Sequence, residues 1–263
     1  MKIGLSYVGP LDFVFQRLVL STCILSLFLV FLWKKVPKDK SDVINLLILG
    51  AINTASMLLT HIGLINEKSG IGAILTYTQP LFVFCIAVPF LKEKATISRV
   101  AGVLIGFLGV VLLSIKEGSI VGSLTPSIFF LIFGAFLWAV NTVYYKKYLS
   151  HVNPIVTNIF QLGIGAALLA PPSIIIGGLS FSFSSSYLFA LLYLSIFAVS
   201  LAWTIWIFLL REEEATVLSS SSLVIPIIAF FFGWLVLGES IELKSLFGAV
   251  LVMIGVYLVN KTS

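Results

Sequence analysis

Charge is what this sequence has least of: Asp, Glu, Lys and Arg make up 10% of its 263 residues, against about a quarter in soluble domains. So few ionised groups cannot cover a water-facing surface when 59% of the chain is hydrophobic and its mean hydropathy is +1.14. A soluble globule is excluded, and a chain embedded in lipid is implied. Cysteine is nearly absent. Cys23 and Cys85 both fall inside apolar runs without CxxC or metal-ligand spacing, which excludes a disulfide framework and reads as two buried thiols. No nucleotide-phosphate motif is present, because the glycines of AGVLIGFLG (101–109) follow no strand, so ATP-driven pumping is excluded. The net charge of +5 comes from scattered loops rather than a continuous patch, which excludes nucleic acid as a partner. The connectors are too short to hold a soluble domain, leaving one membrane domain. The first apolar run contains Asp12 and Arg17 and ends in Trp33-Lys34-Lys35, where signal cleavage would need small residues; it is a retained span.

What is present is a series of apolar runs of helical length. Residues 10–33, 43–64, 71–91, 97–115, 127–145, 154–176, 187–210, 215–237 and 241–260 each approach the roughly 20 residues that cross a bilayer, predicting about nine transmembrane helices. Pro10, Pro126 and Pro154 suit first helical positions, with Thr125 and Asn153 as N-caps. Basic residues fall in alternate loops. Lys34, Lys35, Lys38, Lys40, Lys92, Lys94, Arg99, Lys146, Lys147, Arg211 and Lys261 lie on one side, and Lys2, Lys68, Lys116 and Lys244 on the other. Basic loops stay in the cytoplasm, so the C-terminus is expected there, in a multi-pass protein of the cell membrane.

The chain also repeats itself. Pro80, Glu93, Gly102 and Gly109 recur 146 positions later as Pro226, Glu239, Gly248 and Gly255, in one alignment without a gap. Five spans separate the copies, so they cross the membrane in opposite senses. Inverted repeats are a recurrent secondary-transporter design, with the substrate held near the midplane and two halves that exchange inward-open and outward-open states. Residues 1–120 and 121–263 are the two repeats. Pro154 answers to Pro10, yet the span at 127–145 has no counterpart after Met1. The expectation is an all-α polytopic protein with two inverted repeats of a five-helix unit, the first helix missing, through either a misplaced start or a genuinely shortened form.

The ends PLFVF…LKEKATISRVAGVLIGFLGVVLL and IPIIAFFFGWLVLGESIELKSLFGAVLVMIGVYLV, with LWAVNTVYYKKYL…NP between them, resemble the EamA-type branch of the drug/metabolite transporter superfamily. The resemblance covers nearly the whole chain. It implies ten helices in two inverted five-helix repeats and transport of small metabolites, commonly out of the cell; the missing helix departs from that pattern.

Candidate binding residues are the polar groups inside apolar runs. Arg17 lies about 10 Å deep by helical rise, either as a functional charge or as a side chain snorkelling outward. Asp12 is on a different face and offers it no partner. His61 reads as an interfacial histidine rather than a proton carrier. Asn53, Ser56 and Thr60 share a face that should meet a cavity or another helix. Tyr77 and Gln79 before Pro80, Trp138 with Asn141, Gln161, Trp203 with Trp206, and Ser219 to Ser222 before Pro226 complete a candidate lining. Each Ser, Thr or Asn alone is more simply helix glue; grouped around two prolines that interrupt helical bonding, they favour a pocket. Glu93 and Glu239 read as caps or loop closures rather than proton carriers. Gly102, Gly106, Gly109, Gly248 and Gly255 read as packing positions.

The resulting reading is a secondary transporter of small metabolites, an exporter by alternating access, needing no cofactor. Mid-membrane carboxylates are lacking, which leaves exchange or uniport open. Its partners are a small metabolite and the bilayer, with a homodimer left open. The rivals are a structural or truncated inactive membrane protein, and a membrane-embedded lipid-modifying enzyme. REEE at 211–214, the only acidic cluster such an enzyme could use, is more simply a cytoplasmic loop.

Overall fold

The structure, a computed structural model, describes residues 2–66, 69–114, 126–228 and 243–261. Among these every regular element is helical. The helices that matter below are α1 (Pro10–Ser26), α2 (Lys40–Asn66), α3 (Gln79–Leu91), α4 (Ile97–Ser114), α5 (Pro126–Tyr148), α6 (Pro154–Pro172), α7 (Ser185–Glu212), α8 (Ala215–Ser221) and α9 (Leu243–Asn260). The predicted apolar runs are helical where they are described, apart from turns at Leu27–Phe28 and Tyr77–Thr78. Among the described residues, five helical stretches are long and apolar enough to cross a membrane, and a sixth if Pro10–Ser26 and Leu29–Lys35 count as one. Those two meet at 58°, so the first predicted span is not straight. The Ser26 hydroxyl donates back to the Cys23 carbonyl at 2.8 Å and Phe28 N–H tightens onto Leu25 O at 3.0 Å, the local causes of the break. Shorter apolar helices occupy Ile97–Leu112, Ala215–Ile228 and Leu246–Asn260.

Packing divides the chain into two compact units. Unit 1 comprises Met1–Ile65 and Tyr144–Glu212, and unit 2 comprises Asn66–Val143 and Glu213–Ser263. This division cuts across the sequence repeats: α1 and α6 share unit 1, whereas α4 and α9, related by the 146-residue offset, share unit 2.

In unit 1, α1 lies antiparallel to α6. Leu18 and Thr22 pack beside Gly165 and Gly163, while Asp12 reaches the Gly177 end. Val14, Leu18, Leu25, Met57, Ile159, Leu162, Leu169 and Val199 form its apolar centre. Lipid tails are as apolar as these side chains, so cohesion must come from close packing and polar bonds rather than from hydrophobic transfer. The polar bonds gather where α7 widens into a π-helix over Leu194–Leu201. Ser21 Oγ donates to Ser195 O at 3.0 Å, and Asn158 Nδ2 donates to Thr204 Oγ1 at 2.9 Å and Ser200 O at 3.4 Å. Side chains of α1 and α6 thus serve carbonyls of the widened turns. Asn153 caps α6 as predicted, accepting from Ile155 N at 3.0 Å and Val156 N at 3.3 Å; Thr125 lies outside the described residues.

In unit 2, α4 and α9 are antiparallel and almost touch along their backbones. A Cβ on Gly102 would stand 2.7 Å from Gly255 O, one on Gly109 2.6 Å from Gly248 O, and one on Gly255 2.5 Å from Gly106 Cα. Only glycine allows that approach. Ser98 Oγ adds a bond to Leu258 O at 2.9 Å. Val103, Val217 and Val259, with Val110, Leu223 and Val252, fill the flanks.

Both cysteines correct the sequence reading: Cys23 and Cys85 are exposed, not buried. In a chain solvated by lipid, an apolar run need not face protein.

Candidate functional site

Helix α1 carries a polar edge into unit 1. Arg17 is buried, 5% exposed, so its side chain does not snorkel outward. Its Nη1 lies 2.8 Å from His61 Nε2, and His61 Nδ1 lies 2.6 Å from Met57 O. A guanidinium only donates and a carbonyl only accepts, so Nδ1 carries the proton and Nε2 accepts. His61 is therefore neutral while this pair stands, and a second proton would set two donors face to face. The Phe13 ring, 5.6 Å from Arg17 Cζ, offers its negative face. Among the described residues, Arg17 Nε has no hydrogen-bond partner and no carboxylate lies within 4.0 Å of the guanidinium. His61 is buried, 3% exposed, and faces Arg17, supplying an acceptor that α1 does not.

On the neighbouring face of α1, Asp12 is buried and accepts from Ser173 Oγ and from Ser180 N at 3.0 Å. Gln16 Nε2 donates to Ser180 O at 2.7 Å and its Oε1 accepts from the Tyr187 hydroxyl. The carboxylate of Asp12 therefore secures the end of α6 and leaves Arg17 alone. Asp12 and Gln16 stand one helical turn apart, the i, i+4 spacing that could have marked them as one polar edge.

The other unit 1 candidates are placed less uniformly. Asn53 is fully buried, with neither amide atom bonded among the described residues. Ser56 and Gln161 are also buried, whereas Thr60 is half-buried and donates to Ser56 O at 2.8 Å. Trp203 packs against the apolar centre, and Trp206 is half-buried. Asn158, which the lining omitted, is the better connected of the buried amides.

In unit 2, Gln79 Nε2 meets Ser219 Oγ at 3.4 Å, both buried, and Tyr77 packs beside Val110, Leu223 and Val252. Trp138 and Asn141 are half-buried on α5. The two prolines follow equivalent breaks. Pro80 opens α3 after the turn at Tyr77–Thr78, and Pro226 follows a 3-10 turn at Ser222–Val224. Thr78 Oγ1 donates to Leu75 O and Ser222 Oγ to Ser219 O, each at 2.6 Å, so hydroxyls already serve those turns.

Glu93 closes a helix other than its own. Its carboxylate accepts from Ala215 N at 2.7 Å and Thr216 N at 3.0 Å, capping α8. Lys92, in the left-handed region at φ 58°, turns the chain to place it. Arg99, counted as a loop charge, is instead fully buried and pairs with Glu214 at 2.5 Å. Glu239 lies outside the described residues.

The EamA-like transporter family matches over residues 1–115 and 125–261. The uncharacterized transporter YoaV of Bacillus subtilis is 26% identical, over 98% of this chain and 89% of its own. An uncharacterized transporter of Archaeoglobus fulgidus is 27% identical, over 98% and 91%. A crystal structure superposes with a TM-score of 0.70 at 17% identity, covering 97% of each chain, and shares the fold. The matches and the apolar helices make the chain an integral, multi-pass membrane protein, a transporter rather than an enzyme.

Proposed function

Because the chain belongs to the EamA-like transporter family, we propose that it carries a small anionic metabolite out of the cell by alternating access between two inverted repeats. One observation supports the mechanism above the others. Gly102 meets Gly255 and Gly109 meets Gly248, and under the 146-residue offset these two contacts exchange. Each helix touches the other's equivalent position, as across a two-fold axis. The helices also run antiparallel, as copies inserted in opposite senses would. Such a relation gives the inward-open and outward-open states equivalent geometry.

The reading has about nine spans and a cytoplasmic C-terminus. Three loops of the basic set support that orientation within unit 1, where Lys35, His151 and Arg211 line one cavity. The anionic substrate follows from Arg17. Among the described residues Arg17 has no carboxylate partner, and a buried cation in that state is costly in a membrane; its Nε, left unpartnered while Nη1 serves His61, suits an anionic acceptor such as a carboxylate. Neutral His61 orients the guanidinium without cancelling its charge. Asn53 and Gln161 in unit 1, and Tyr77, Gln79, Trp138 and Asn141 in unit 2, are candidates for solute contact.

Counterflow into proteoliposomes, with a panel of small carboxylates and their neutral esters, tests this reading. Flux that carboxylates inhibit and esters do not is the expected result. Flux with equal inhibition by esters would remove the anionic anchor and leave transport standing; absence of flux across the panel would sink both. Orientation has its own check. A cysteine at Lys38 should escape an impermeant thiol reagent in intact cells, and one at Ser184 should be labelled.

A further inference from the structure

The basic end of unit 1 holds a cavity of about 390 Å³ to which the transport reading assigns no ligand. Lys35, Pro37, Asp42, His151, Asn153 and Arg211 line it. Its internal bonds show which groups are already engaged. Both Asp42 oxygens lie 3.0–3.1 Å from His151 Nε2, so the acid is occupied by the imidazole. Asn153 Oδ1 is occupied by the first amides of α6. Arg211 makes one loose contact, 3.6 Å to the exposed Glu212, and exposed Lys35 has no described carboxylate within 4.0 Å. The donors left facing the cavity are an ammonium and most of a guanidinium, the pair that takes a phosphate.

A second feature adjoins it. The segment that delivers Lys35 is apolar and outward-facing: Leu27 71%, Val30 80%, Phe31 84% and Trp33 75% exposed. The bend at Leu27–Phe28 carries this segment away from α1, so it ends in a tryptophan directly before the two lysines. Tryptophan followed by lysine is the order of groups expected at a membrane–water boundary. Apolar chain below and cation pair above match an acyl chain and a charged headgroup in one ligand.

We propose that this cavity is a binding site for the phosphate headgroup of an anionic phospholipid, whose acyl chains lie along the exposed face of residues 27–33. Free phosphate shares the headgroup chemistry but has nothing to place on that face. The site stands whether or not Arg17 binds solute.

The test uses the whole protein in detergent micelles, with Trp33 as reporter. Brominated phosphatidylglycerol should quench the fluorescence lost on Trp33→Phe at a several-fold lower mole fraction than brominated phosphatidylcholine of the same chains. Lys35→Gln with Arg211→Gln should weaken the phosphatidylglycerol effect roughly tenfold, from about fivefold per surface cation less screening, and leave phosphatidylcholine unchanged. Lys35→Arg with Arg211→Lys should retain it. Equal quenching by both lipids in the unaltered protein would overturn the proposal without any cavity variant needing to fold. So would unchanged preference in the double glutamine variant. Full competition by water-soluble glycerol phosphate at concentrations matching the lipid would replace the lipid with a free phosphate and sink the lipid assignment.

Discussion

Each unit packs two antiparallel helices that correspond in the sequence repeats, and the two do it by different means. In unit 2, α4 and α9 approach until glycine backbones touch, and the surrounding side chains are branched aliphatics. In unit 1, α1 and α6 stand further apart at Gly163, and the bonds around them come from Asp12, Ser21 and Asn158. Close backbone packing is unforgiving of volume and carries no charge. A polar lattice tolerates volume, and it can hold a cation such as Arg17 in place. The difference suggests a rigid unit 2 and a chemically active unit 1, and each half of that statement can be broken.

The largest effect is expected at the glycine contact. Gly102→Leu or Gly255→Leu would drive a side chain into carbonyl oxygen and main-chain nitrogen, which cannot rotate away. Overpacking in ordinary cores costs about 1–3 kcal/mol, and here the obstacle is backbone, so folded protein should be lost. Normal yield and an unchanged thermal midpoint for either variant would show that α4 and α9 separate freely.

Arg17→Gln should behave in the opposite way. It removes a buried charge that costs stability, and it leaves His61 Nε2 an amide donor. Transport of an anionic substrate should fall at least tenfold while the thermal midpoint stays or rises. A fall in midpoint matching the loss of transport would make Arg17 a structural residue and unit 1 no more active than unit 2.

How much of this contrast could be read beforehand differs between the units. The glycines of α4 and α9 were legible because the offset repeats them against aliphatic sequence, and GxxxG spacing has one common use. The helices themselves followed from apolar run length. Arg17 was visible as a charge out of place, but its partner was not. His61 lies 44 positions away, and periodicity reports which face a residue occupies, not what the facing helix offers. Asp12 lies off the Arg17 face; the same fact, seen with Ser173 and Ser180 in place, explains why its carboxylate does not serve Arg17. Arg99 and Glu214 read as loop charges because sequence gives polarity and not depth. Cys23 and Cys85 failed for a related reason, since hydropathy cannot separate a protein-facing apolar helix side from a lipid-facing one.

Capping gives a smaller effect that also distinguishes the units. Asn153 caps its own helix, whereas Glu93 caps a helix 122 positions further on and so ties α8 to the end of α3. Glu93→Gln keeps the shape and removes the charge, and should cost about 0.5–2 kcal/mol in thermal unfolding. Asn153→Ala should cost about 1 kcal/mol. If Glu93→Gln proved silent, the carboxylate would be a solvated loop group and unit 2 would rest on its glycines alone.

The smallest effect is expected from Gly163→Ala, and it bears on the comparison most directly. A Cβ there would lie 3.4 Å from Thr22 Cγ2, at the edge of ordinary van der Waals contact, and the obstacle is a methyl group on a movable side chain. Alanine inside a helix gains about 1 kcal/mol over glycine by restricting the unfolded chain. The two terms nearly offset, so the thermal midpoint should shift little and in either sense, with transport intact. The matching change in unit 2, Gly109→Ala, meets Gly248 O at 2.6 Å and Val252 N at 2.7 Å and should lower the midpoint clearly. Measured side by side, a clear loss at Gly109 and near-neutrality at Gly163 is the expected outcome. Equal losses would mean that α1 and α6 are packed as tightly as α4 and α9, and the polar lattice of unit 1 would then be an addition to close packing rather than its substitute.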